Sequence, residues 1–112
     1  MDEVRRETDG ELCGFVTRTS MGWQSLTVFG VTLGDHDDRE AATAHVIDAG
    51  LACLAERWQL RRRGEAHSEV VCIQEADRTG VTVALGYYSL PGVPTRRLST
   101  DELRSGEWEL LR

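Results

Sequence analysis

Within residues 38–62, Ala44, Ile47, Leu51, Leu54 and Trp58 recur at steps of three and four, the spacing that aligns side chains along one face of an α-helix. This stripe predicts a long helix over 38–62 and needs a sheet to cover it. Asp37 followed by Glu40 resembles a capping box and sets carboxylates at the positive end of the helix dipole. Arg61, Arg62 and Arg63 fall near the negative end, and Gly64 is placed to close the helix. Gly50 weakens the middle by up to about 1 kcal/mol and suits a close approach to the sheet.

On either side of this segment the period changes to two. Over 12–33, Cys13, Phe15, Thr17 and then Leu26 and Val28 alternate with more polar positions, joined at Ser20-Met21-Gly22. This predicts a hairpin, with a bend at Gly30 from which a third strand splits off at Val31. A second hairpin is expected from 69–75 and 80–90, with Val81, Val83, Leu85 and Tyr87 on one face. Pro91-Gly92-Val93-Pro94 ends it, since neither proline donates to a sheet ladder. Ser99 with Glu102 caps a short helix that Gly106 stops. The last segment, Glu107 to Leu111, alternates as a strand would, with a helical turn as the alternative. Together these elements predict an α+β fold. The expected arrangement is a flexible polar N-terminus over 1–10 and a single small domain over 11–112. Its antiparallel sheet of about four to five strands follows a ββ-α-ββ-α order, packed by one long helix with a short C-terminal helix.

Composition excludes several chemistries. The 112 residues include no lysine and no asparagine, and all thirteen basic side chains are arginine. A Schiff-base lysine, a phosphate-loop lysine and an asparagine glycosylation acceptor are therefore ruled out. With only Ile47 and Ile73 as isoleucines, the bias fits a GC-rich bacterial source. A net charge of −6 suits a basic protein partner and works against phosphate backbones, where affinity comes from cationic surface. There is no apolar run of membrane length and no secretory pattern, so no membrane association is expected and the predicted location is cytoplasmic. Cys13, Cys53 and Cys72 are odd in number and widely spaced, as reduced thiols are.

Catalytic motifs are missing: there is no GxSxG, HExxH, Walker loop or dinucleotide fingerprint. Asp35-His36-Asp37-Asp38 is the densest group of potential metal ligands, but it lies where a helix start favours acids. No metal and no cofactor are expected. The partner-binding candidates are Trp23, which follows the turn glycine and is expected to be exposed, and the cationic patch Arg57, Arg61, Arg62 and Arg63, which Arg96-Arg97 could extend. His45, beside the apolar stripe, and Tyr87 are the candidates for a ligand pocket between helix and sheet. These features predict a small acidic, non-enzymatic binding or regulatory protein of the inhibitor, antitoxin or immunity kind. The alternatives are a nucleic-acid-binding regulator using the 57–63 patch, and a ligand-binding protein or enzyme. A homodimer is a further expectation, because a small sheet with one helix leaves an apolar face to cover.

In layout, Gly22 to Trp58 resembles the hairpin-then-helix unit of HicB-type antitoxins, through Gly34-Asp35 and Arg39-Glu40-Ala41-Ala42. It also resembles apetala-type DNA-binding modules, through Gly22-Trp23 and Leu33-Gly34. The strand face lacks the basic residues of the second and the strand end lacks the Pro-Gly-Cys of the first, so the chain is assigned to neither.

Overall fold

In the computed structural model, which describes residues 1–86 and 91–112, strand is the predominant regular structure. The order is β1 (Asp2–Arg5), β2 (Leu12–Thr19), β3 (Gly22–Leu26), β4 (Thr32–His36), α1 (Arg39–Ala49), a 3-10 turn (Ala52–Ala55), β5 (Arg57–Arg62), β6 (Glu69–Asp77), β7 (Gly80–Leu85), β8 (Thr95–Ser99), α2 (Thr100–Ser105) and β9 (Trp108–Leu111). The α+β class holds. There are two antiparallel sheets rather than one, ordered β1-β2-β3-β4 and β8-β7-β6-β5-β9. They fall in two compact units, Met1–Cys53 and Leu54–Arg112.

The first unit is a four-stranded meander with α1 on one face. The expected first hairpin forms around Ser20-Met21, with Thr19 opposite Gly22. Gly22 takes φ +140°, and a Cβ there would lie 2.4 Å from the His36 carbonyl oxygen, so only glycine fits where β4 ends. Val4, Cys13 and Val16 from the sheet meet Ala42 and Val46 from α1 in a buried cluster, with Trp23 and Leu51 packed against it.

The helix is the main correction. It spans eleven residues, not the predicted 38–62, and its inner face is Ala42 and Val46, whereas Ile47 is 48% exposed and Ala44 is exposed. Asp38, one residue after the expected Asp37, is the N-cap and accepts from the Ala41 N–H at 2.7 Å. Small residues at 42 and 46 let the helix sit close to the sheet. That closeness is sharpest at Gly50, where a Cβ would lie 2.2 Å from the Cys13 carbonyl oxygen. Beyond the 3-10 turn, Arg57-Trp58-Gln59-Leu60 alternates exposed, buried, exposed, buried as β5. Leu54 and Trp58 are four apart by coincidence, and the period of two over 57–61 is the physical signal.

In the second unit Trp58, Leu60, Val71, Val81, Val83, Leu98 and Leu110 are buried. The β6–β7 hairpin forms as expected, closed by Asp77, which accepts from the Thr79 hydroxyl and from the Thr79 and Gly80 N–H groups. The Thr79 hydroxyl, then the Thr79 N–H, with Arg97 nearby, hold the Asp77 carboxyl below its ordinary range. A strand not foreseen from the sequence, β8, follows Pro94 and buries Leu98. Its successor α2 carries the expected capping box from Ser99 and Glu102 and ends at Gly106 in the left-handed conformation, φ +81°. Segment 108–111 is a strand paired antiparallel with β5. The sheet curls, because Arg96 on one edge strand lies 4.2 Å from the ring centroid of Trp108 on the other.

Candidate functional site

At the open end of the first unit, the β2–β3 turn and the β4–α1 junction enclose a groove of about 720 Å³. Cross-strand register sets Trp23 opposite His36, Gln24 opposite Asp35, and Ser25 opposite Gly34. Since side chains alternate along a strand, Trp23, Ser25, Gly34 and His36 share the face toward α1. Gln24 and Asp35 share the other, joined by a 3.1 Å hydrogen bond.

The groove is lined by Met21, Trp23, His36, Asp37 and Asp38 among others, and by Asp35 at its rim. Three aspartates and no arginine line it. Met21, at the turn, is 93% exposed. Trp23, expected to be exposed, is half-buried: one side packs on the core cluster, and the Arg39 guanidinium lies 5.7 Å from the ring centroid. Arg39 is itself paired with Asp2 at 3.1 Å.

Beneath the groove three polar side chains converge. Ser25 Oγ lies 2.8 Å from His45 Nδ1 and 3.1 Å from His36 Nε2, and the two ring nitrogens are 3.1 Å apart. Ser25 also donates within reach of the Gly34 carbonyl oxygen, at 3.3 Å. Both histidines are half-buried and Ser25 is fully buried. A Cβ on Gly34 would come within 3.1 Å of the His45 ring, so the glycine leaves the space that the imidazoles fill.

The structure therefore places Trp23 at the groove and His45 below it, and joins to them His36, Ser25 and Met21. Tyr87 lies outside the described residues. The cationic patch is arranged differently. On β5, Arg57 and Arg61 point to one face and Arg62 to the other, so the arginines do not form the cluster a helix end would have made. Arg61 pairs with Glu109, and Arg62 pairs with Glu107 at 3.5 Å and lies 5.8 Å from the Trp108 ring centroid. Arg63 donates to the Ser105 carbonyl oxygen at 3.4 Å. Arg57 is exposed. Arg62 and Arg96 meet through Trp108, while Arg97 pairs with Asp77 at 3.3 Å.

No protein-family model, curated protein or solved structure matches the chain. Among the described residues no helix is long and apolar enough to cross a membrane, and no disulfide joins Cys13, Cys53 or Cys72.

Proposed function

We propose that the chain is a small acidic, non-enzymatic binding protein that holds a cationic segment of a protein partner in the groove beside Trp23. One observation carries this: the charge imbalance is confined to the unit that bears the groove. Met1–Cys53 holds four arginines against ten acids, and Leu54–Arg112 holds nine against nine, so the whole net charge of −6 belongs to the first unit. Three of those acids line the groove. An arginine or lysine side chain entering it would meet carboxylates at the rim and the Trp23 ring and Met21 thioether within, contacts suited to a cation on an apolar stem. In the second unit Arg61, Arg62, Arg97, Arg104 and Arg112 pair with carboxylates, which favours this over the nucleic-acid alternative.

Fluorescence polarisation with a labelled arginine-rich dodecapeptide, an acidic control peptide and a labelled DNA duplex tests the proposal. The basic peptide should bind, weaken with salt, and lose roughly three- to tenfold in affinity in Asp35→Asn/Asp37→Asn, in line with about 0.5 kcal/mol or somewhat more per rim charge. Asp38 is left in place because it caps α1. Equal binding of basic and acidic peptides, or binding of the duplex alone, would overturn it.

A further inference from the structure

We infer that Ser25, His36 and His45 form a binding site for a divalent transition-metal ion of the zinc class. The inference rests on the triangle beneath the groove and is independent of what fills the groove itself. Its three corners, His36 Nε2, His45 Nδ1 and Ser25 Oγ, are separated by 2.8, 3.1 and 3.1 Å. Two donors held about 2.0–2.1 Å from one ion lie about 2.9–3.4 Å apart for coordination angles from octahedral to tetrahedral. The nitrogen pair falls in that interval. An ion about 2.1 Å from all three corners would stand about 1.2 Å above their plane.

Ring orientation supplies a second, separate measure. The two imidazole centroids are 4.9 Å apart, with the ring planes at 63°. A head-on N–H···N bond of this length would hold the centroids about 5.4 Å apart, so the rings do not meet head-on, and a convergent arrangement matches the spacing. Axes that cross at about 100°, with the nitrogens about 2.05 Å from the crossing, reproduce both the nitrogen and the centroid spacings. The neighbouring elements agree. Gly34 leaves room for the rings, since a Cβ there would press within 3.1 Å of His45 and 3.5 Å of His36. The Ser25 proton has the Gly34 carbonyl oxygen as its acceptor at 3.3 Å, which leaves a hydroxyl lone pair for the ion. His36 stands between Asp35 and Asp37 at the groove, where negative charge favours a cation.

No group of three or more histidine, cysteine or carboxylate side chains capable of holding a metal occurs among the described residues. The protein therefore supplies two strong donors and one weak one, and water completes the shell on the side of the groove. Imidazole donors select zinc, copper and nickel over magnesium and calcium. With only two imidazoles, binding is weaker than at a four-ligand structural zinc site.

The test is titration of the metal-stripped full chain with Zn²⁺ by calorimetry and with Co²⁺ by visible absorption. The expected result is one ion per chain, with Co²⁺ bands of a four- or five-coordinate site. Binding should weaken about tenfold or more in His36→Gln and in His45→Gln, and should be unchanged in His67→Gln, an exposed control. Because a substitution at the half-buried pair could disturb folding, ring-nitrogen NMR of the unaltered protein gives an independent reading. Zn²⁺ should shift His36 Nε2 and His45 Nδ1 and spare both nitrogens of His67. No uptake, uptake equal in the variants, or shifts confined to His67 would overturn the site and leave the triangle a hydrogen-bonded network. None of these outcomes bears on peptide binding, which the aspartate variants test separately.

Discussion

Single side chains decide which way α1 faces. Ile47 is the larger and more apolar residue, and the sequence stripe buried it, yet Val46 is fully buried and Ile47 is 48% exposed. Two competing stripes lie one residue apart, and the winner is the one whose small residues let the helix approach the sheet. Val46→Ala should therefore destabilise the protein by about 2 kcal/mol, while Ile47→Ala should stay within about 0.5 kcal/mol of wild type. Chemical denaturation of the two variants measures both, and the reverse order would mean that the helix is rotated. The same scale explains why the polar triangle was hard to see. His45 was legible as a histidine beside an apolar face, and His36 as part of an acidic cluster. Ser25 carried no signal alone. Only the pairing of Ser25 with Gly34 and of Trp23 with His36 across β3 and β4 brings the three together, and pairing register is not written in a single strand.

At the level of elements, local turn and cap chemistry carried most of what could be read. The hairpin at Ser20-Met21, the hairpin closed by Asp77, and α2 between Ser99 and Gly106 each form where their residues demand. The long helix failed because steps of three and four ran on through Leu54 and Trp58 and masked the alternation of β5. Gly50 was the warning. It adopts ordinary helical angles, φ −60° and ψ −42°, where replacing glycine by alanine usually gains about 0.5–1 kcal/mol. Here the added Cβ would meet the Cys13 carbonyl oxygen at 2.2 Å, so Gly50→Ala should instead cost about 1–3 kcal/mol. A rise in melting temperature for this variant would show that the helix end does not approach β2 so closely.

Across the molecule, charge is divided more sharply than composition reveals. Sequence gave a net −6 and an arginine run at 57–63, but only the division into units assigns the whole excess to Met1–Cys53 and leaves Leu54–Arg112 neutral. The arginine run becomes a strand on which Arg61 pairs with Glu109 and Arg62 with Glu107, and the unit with the excess of acids bears the groove. Backbone amide NMR, following an unlabelled arginine-rich peptide into the isotope-labelled protein, tests this most directly. The largest shifts should fall on Met21 to Gln24 and Asp35 to Ala41, around the groove, with Arg57 to Arg63 unmoved. Shifts centred on Arg57 to Arg63, or spread evenly over both units, would contradict the account.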